Sequence, residues 1–156
     1  SEMCIRDRAS IPRRTETLAS QAQASVSIPY GGYGLNDRFE PRNSADKSMQ
    51  FHNWWQCFGT EEWAQYEWDQ PMTLTEASVY WLELGHYDID FQLPVSWRLE
   101  YKAGEKWLPV KNTDPYEIAK DKYCTVHFQP VRTKALRLTA QLQEGKSAGI
   151  LEWKVR

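Results

Sequence analysis

The sequence predicts an all-β domain, an antiparallel β-sandwich of about eight strands in two layers. Apolar and polar residues alternate with a period of two in several short segments that are bounded by turn-forming residues. The chain contains eight tryptophans and eight tyrosines, and aromatic residues are enriched in strands. No amphipathic helical pattern separates the segments, which is typical of two packed antiparallel sheets.

The first four strand segments are residues 23–28, 62–68, 73–84 and 95–104. Segment 23–28, QASVSI, predicts a short early strand. In the other three, alternate residues form an apolar face, which we expect to be buried between the layers: Ala64, Tyr66, Trp68, Ala77, Val79, Trp81, Trp97, Leu99 and Tyr101.

The last four strand segments are residues 105–112, 124–131, 135–143 and 149–156. The first of these follows Ala103-Gly104, a pair typical of a hairpin connection, and its Trp107 is expected in the core. His127, Glu152 and Lys154 are expected to point outward. The remaining three segments contribute these inward residues: Val126, Phe128, Leu136, Leu138, Ala140, Leu142, Leu151, Trp153 and Val155.

The chain length, the charge balance and the apolar runs restrict the classes of partner. The 156 residues suit one domain, and 19 basic residues nearly balance 21 acidic ones. No basic stripe indicates a nucleic-acid partner, and no apolar run approaches the roughly 20 residues that span a bilayer. We therefore expect neither a nucleic acid nor a membrane as partner.

The N-terminal segment lacks the alternation that marks the strand segments. The opening SEMCIRDR resembles a translated adapter run at the ends of gene models from environmental sequencing, so we expect a metagenomic fragment. Residues 1–17 are predicted to be a disordered or non-native tail, and residues 18–156 the β-sandwich. Cys57 and Cys124 are expected to be free thiols, with a disulfide between them as the alternative.

Seven fragments, in a fixed order, resemble one family: LASQAQASVS, GLNDRFEPRNSADKS, NWWQCFGTEEWAQYEW, VYW, LPVSWRLEYKAGEKWLPV, VRTKALRL and SAGILEWKV. They resemble the C-terminal β-sandwich of β-L-arabinofuranosidase-type, six-hairpin glycoside hydrolases. That sandwich is similar to the discoidin or coagulation-factor type C domains, which are galactose-binding-like jelly rolls. The resemblance runs from Leu18 to Val155.

The resemblance implies a non-catalytic carbohydrate-binding accessory module. The catalytic domain of its parent enzyme would lie upstream, and the enzyme would be secreted or periplasmic and act on arabinose- or galactose-containing polysaccharide. The alternative is a structural domain that docks on the catalytic domain or mediates oligomerisation without binding free sugar. An apolar patch on a sheet face, built from Trp63, Tyr80 or Leu82, would favour that alternative.

The carbohydrate site is predicted in two long loops, 29–60 and 85–94. Neighbouring side chains in an extended segment point opposite ways, and the family pattern suggests that Trp55 is the buried member of the Trp54–Trp55 pair. Trp54 would then be a stacking platform, with His52 beside it and further contacts from the second loop. The predicted carbohydrate-binding residues are His52, Trp54, His86 and Tyr87, and the alternative is that all four are ordinary loop-packing residues.

A structural calcium ion is the predicted cofactor. The stretch LNDRFEPRNSADKS is rich in the oxygen ligands that calcium prefers, and the resemblance implies that it is paired with Glu152. The predicted metal ligands are Asp37, Asn43, Ser44 and Glu152. The same residue types also fill turns without a metal. Where the relatives have Asp-Gly, this chain has Asp37-Arg38, so Arg38 must tolerate a turn that prefers glycine.

No catalytic residues are predicted. A glycosidase needs two carboxyl groups about 5–10 Å apart across the sugar bond. Candidate pairs such as Glu61–Glu62 or Asp88–Asp90 lie where solvent-exposed charges are expected. The three histidines are isolated, and no nucleophile elbow or phosphate-binding glycine loop is present.

Overall fold

The computed structural model describes residues 16–85 and 90–156, and it confirms an antiparallel all-β sandwich. One four-residue helix, α1 (Leu18–Gln21), precedes the strands. No helix in these residues is long and apolar enough to cross a membrane. Most of the predicted tail, residues 1–15, lies outside the described residues. The described strands are β1 (Gln23–Val26), β2 (His52–Asn53), β3 (Glu61–Leu82), β4 (Leu84–Gly85), β5 (Asp90–Phe91), β6 (Ser96–Ala103), β7 (Lys106–Pro109), β8 (Tyr123–Gln141) and β9 (Gly149–Val155).

Two long strands, β3 and β8, run through both layers of the sandwich. Residues 61–67 of β3 pair with residues 135–141 of β8, and residues 72–80 pair with residues 123–133. The register shifts between these two halves, and such irregularities let a strand bend from one layer into the other. Each long strand therefore joins two segments that the alternation pattern predicted as separate strands.

The remaining strands complete the two layers. The main sheet has the order β2-β9-β3-β8-β6-β7, with β1 paired to β3, and β4 pairs with β5 in a small separate sheet. Strands β1, β6 and β7 extend the layer that contains residues 61–67. Strands β9 and β2 extend the layer that contains residues 72–80.

The core is a cluster of aromatic rings between the layers. Tyr66 stacks on Trp153 with ring centroids 4.0 Å apart, and its hydroxyl donates to the Trp153 carbonyl at 2.7 Å. Trp81 meets Trp97 edge to face at 5.8 Å. Burial of each such ring stabilises the fold by about 2–3 kcal/mol, so the layers are held together largely by these contacts, as the alternation predicted.

Two predictions of side-chain direction within the predicted strand segments were wrong. Trp107 is only half-buried, because β7 is an edge strand on which Trp107 pairs with the outward-facing Lys102. Glu152 was expected in solvent but is 1% exposed. A loop covers the outer face of β9 at this point, where the Arg38 N–H donates to Glu152 Oε2 at 3.1 Å.

Both cysteines in the described residues are free thiols, as expected. Cys124 is fully buried, and its Sγ contacts the Ala119 carbonyl at 3.5 Å. Cys57 is half-buried in the loop before β3. The disulfide alternative does not occur in this structure.

Candidate functional site

Four loops converge at one end of the sandwich. Glu61, at the start of β3, pairs with Gln141 at the end of β8, which pairs in turn with Ser96 at the start of β6. The flanking loops therefore meet, and the Gly59 N–H donates to the Lys146 carbonyl at 3.3 Å. We call this surface, formed by residues 27–34, 54–60, 90–95 and 142–148, the loop end.

His52 and Trp54 are buried beneath the loop end, so their predicted role as an exposed platform was wrong. Both are 0% exposed, and their rings meet edge to face with centroids 4.7 Å apart. The cause is the pairing of β2 with β9, which places His52 opposite Ile150 and directs alternate side chains from His52 onward into the core. The Trp54 indole Nε1 donates to the Trp63 carbonyl at 3.3 Å.

His52 anchors the neighbouring loop rather than a ligand. Its Nδ1 accepts a hydrogen bond from the Gly32 N–H at 2.9 Å, which requires the neutral ring. Burial lowers the pKa of His52 to about 3. A Cβ at Gly31 would lie 2.8 Å from the His52 ring, so glycine is needed for this close approach.

Trp55, the neighbour of Trp54, is the exposed member of the pair. Trp55 is 38% exposed, and its backbone N–H donates to Asn53 Oδ1 at 3.1 Å. Gln56 has a φ of 48°, in the left-handed region, and the Cys57 N–H closes the turn on the Trp54 carbonyl at 2.8 Å. The turn therefore presents Trp55, together with Phe58, which is 46% exposed, on a backbone held by hydrogen bonds.

Two further exposed rings lie on the adjacent loop. Tyr30 and Tyr33 are 63% and 66% exposed, and both belong to the stretch YGGYG. The sequence pattern did not predict a role for these two rings or for Phe58. Aromatic residues between glycines were the available signal, because a glycine-rich loop does not carry the alternation that buries a ring in a strand.

Polar side chains complete the loop end. The Lys146 ammonium forms an ion pair with Asp90, and the Gln92 amide also donates to this carboxylate. The Lys146 and Gln92 hydrogen bonds lower the pKa of Asp90, which therefore remains charged. His86 and Tyr87, the other two predicted carbohydrate-binding residues, lie outside the described residues. The strands β4 and β5 flank them.

The structure brings together two of the four predicted calcium ligands. Burial, and then the hydrogen bond and charge of the adjacent Asp37, raise the pKa of Glu152 to about 10. Glu152 Oε1 is buried with no hydrogen-bond partner among the described residues. A cation between these two carboxyl groups would offset the repulsion between their charges and would give Glu152 Oε1 a partner. The chemistry of Asp37 and Glu152 is therefore compatible with a calcium ion.

Asn43 and Ser44 use their side chains elsewhere. Asn43 Oδ1 accepts from the Ala45 N–H at 2.9 Å. The Ser44 Oγ accepts from the Asp121 N–H at 2.7 Å, and Asp121 Oδ1 accepts from the Ser44 N–H at 2.8 Å. No group of three or more His, Cys, Asp or Glu side chains in the described part of the chain has metal-binding geometry. The remaining ligands of a calcium ion would have to be carbonyl or amide oxygens.

The β-sandwich has the same fold as solved carbohydrate-binding modules. No family model matches the sequence. The chain is similar to a chain of the Streptococcus pneumoniae β-galactosidase BgaA, with a TM-score of 0.70 and 18% identity over 92% of this chain and 94% of that one.

Two smaller modules have the same fold. The Clostridium perfringens module CpGH89CBM32-6 has a TM-score of 0.58 and 12% identity, over 90% of this chain and 98% of that one. Chitosan-binding module 2 of a chitosanase/glucanase from Paenibacillus sp. IK-5, solved with chitotriose, has a TM-score of 0.56 and 16% identity, over 89% of this chain and 98% of that one. At these identities the comparisons establish the fold alone.

Proposed function

We propose that this protein is a non-catalytic carbohydrate-binding module that recognises sugar at the loop end. The observation that carries the proposal is the partly exposed Trp55 indole on a hydrogen-bonded turn. Sugars present C–H groups on one ring face and hydroxyls around the edge. An aromatic plane beside a few fixed polar groups, here Asp90, Gln92 and Lys146, suits both features.

The proposed ligand is arabinose- or galactose-containing polysaccharide. This follows from the resemblance to the sandwich of β-L-arabinofuranosidase-type glycoside hydrolases, which also implies an upstream catalytic domain and export from the cytoplasm. A shallow site with one main ring and few hydrogen bonds is expected to bind with a Kd of about 0.1–1 mM. The module would then hold its enzyme close to the polymer.

The docking alternative depended on an apolar patch on a sheet face. Tyr80 is 5% exposed and Leu82 1% exposed, so neither contributes to such a patch. Trp63 lies on an outer face, but the Arg137 guanidinium stacks on its ring at 4.3 Å. These three residues therefore do not favour docking over sugar binding.

We also propose a structural calcium ion held by Asp37 and Glu152. Calcium would supply charge compensation for the two carboxyl groups and would fix the loop at Arg38. That residue has a φ of 67°, so it occupies the left-handed conformation at the position where relatives have glycine. The ion is proposed to be structural, since it would lie beside β9 rather than among the exposed rings.

Titration of wild-type protein with arabinose- and galactose-containing oligosaccharides tests the sugar site. Trp55→Ala is expected to weaken binding about tenfold, since loss of stacking on a ring costs about 1.4 kcal/mol. Phe39→Ala is the matched control, because Phe39 is an exposed ring too, at 46% against 38% for Trp55, but lies outside the loop end. Absence of binding by the wild type would refute the function, and equal binding by Trp55→Ala would refute the site.

A further inference from the structure

A stack of two indoles and one guanidinium lies on the outer face of the layer that contains β6 and β7. The Arg137 guanidinium carbon is 4.3 Å from the Trp63 ring centroid and 4.2 Å from the Trp107 ring centroid. The three residues belong to β8, β3 and β7 and are each only partly buried. We call this group the Trp–Arg stack. It is separate from the loop end, and the sequence pattern predicted no ligand site there.

Gln65 fixes the orientation of the Arg137 guanidinium. Gln65 Oε1 accepts from Arg137 Nε at 2.9 Å and from Nη2 at 2.7 Å, and the Gln65 amide donates to Glu67 at 2.5 Å. A guanidinium has five N–H donors, and the others of Arg137 have no hydrogen-bond partner within residues 16–85 and 90–156. The end of the guanidinium is thus oriented so that it can donate two hydrogen bonds to a carboxylate.

A groove adjoins the Trp–Arg stack at the corner where β3 and β8 bend. It has a volume of about 510 Å³, and its lining includes Glu67, Lys102, Arg132 and Lys134. Two contacts connect the groove with the stack. The Lys102 ammonium lies 5.9 Å from the Trp107 ring centroid, and Glu67 accepts the hydrogen bond from Gln65.

The groove and the stack together carry excess positive charge. Among the described residues, Lys102, Arg132 and Lys134 form no ion pair with a carboxylate. With Arg137 they are four cations beside three carboxylates, namely Glu67 and Glu105 in the groove lining and Glu100, the cross-strand neighbour of Arg137, although the whole chain has a net charge of −2. A local positive field of this kind attracts anionic ligands.

We propose that this surface is a second binding site, for an acidic saccharide whose sugar rings carry carboxylate groups. Arg137 and the groove lysines would bind the carboxylates, and the edges of the partly buried Trp63 and Trp107 indoles, whose faces stack on Arg137, would contact the C–H groups of the sugar rings. A nucleic acid is the less suitable polyanion, because the cations form one compact group rather than a stripe that follows a phosphate backbone. The site does not depend on sugar binding at the loop end.

Titration of the full chain with trigalacturonate, followed by NMR chemical shifts or calorimetry, tests the proposal. Arg137→Gln and Lys134→Gln are each expected to weaken binding about tenfold, because each removes a charged hydrogen-bond donor. Lys47→Gln is the matched control, since Lys47 is an exposed lysine outside the groove, and it should bind as the wild type does. Lys134→Gln keeps the test valid even if Arg137→Gln loses the fold.

Several results would overturn the proposal. The first is that the wild type does not bind trigalacturonate, and the second is that Lys134→Gln binds it as tightly as the wild type does. The third is that the wild type binds single-stranded DNA of matched charge more tightly than trigalacturonate. Trp55→Ala separates the two sites, because it should retain trigalacturonate binding while losing neutral sugars. Loss of trigalacturonate binding in Trp55→Ala would place the acidic saccharide at the loop end and refute a second site.

Discussion

Replacement of Trp54 by alanine tests which of two adjacent indoles is structural. The Trp54 side chain is 0% exposed and packs against His52. Loss of a fully buried tryptophan costs about 3–5 kcal/mol, and its 3.3 Å hydrogen bond to the Trp63 carbonyl adds less than about 1 kcal/mol. We expect Trp54→Ala to lower the free energy of unfolding by about 3–5 kcal/mol and the Tm by roughly 6–20 °C.

Trp55→Ala is the internal control for this experiment. Because Trp55 is 38% exposed and lies on a turn, its truncation should cost at most about 1 kcal/mol. Urea denaturation followed by far-ultraviolet circular dichroism measures both variants, and unchanged m-values would show that the comparison is valid. A loss below about 1 kcal/mol for Trp54→Ala, or an equal loss for both variants, would refute the assigned directions of the two rings.

Three further predictions concern charge and backbone. Hydrogen bonding to Asp114 raises the pKa of His127. The resulting stabilisation should be complete below the unfolded-state pKa of about 6.5 and lost as pH rises through the folded-state pKa. His127→Gln should remove this dependence of stability on pH, measured by denaturation at several pH values. Glu152, with a pKa raised to about 10, should make the calcium-free protein less stable as pH rises from about 4.5. Glu152→Gln should abolish that slope and also the Tm increase on adding calcium, which at 100 times the Kd corresponds to about 2.7 kcal/mol; a calcium response unchanged in the variant would contradict the proposed ion site. Gly34→Ala should lower stability by at least about 2 kcal/mol, since Gly34 has a φ of +79° and the new Cβ would lie 2.4 Å from the Gln50 carbonyl oxygen; a change in Tm of less than about 2 °C would be inconsistent with this geometry.

The alternation pattern predicted most strand faces correctly. Ala64, Tyr66 and Trp68 are buried and His127 is exposed, all as expected. Successive side chains of a strand point to opposite faces, so a run of five or more residues identifies its own buried side. The pattern did not show that 62–68 and 73–84 form one strand, because the bend depends on the pairing of β3 with β8.

The site was less predictable than the fold. Adjacent tryptophans must point in opposite directions, but Trp54 and Trp55 do not themselves specify which one is buried. The two-residue strand β2 is too short to carry an alternation pattern, and its partner β9 lies nearly one hundred residues further along the chain. The same applies to the Trp–Arg stack, whose three members come from strands that are distant in the sequence.

The local sequence was therefore sufficient to specify a two-layer β domain rich in buried indoles. A strand with alternating apolar residues has one apolar face, and that face must be buried against a second layer. Long-range pairing decided the rest: the inward direction of Trp54, the outward direction of Trp55 and the burial of Glu152 under the loop at Arg38. These features depend on which backbone groups pair across the sandwich. Strand pairing depends on how distant segments pack together, and the sequence of one segment alone does not specify which other segment it pairs with.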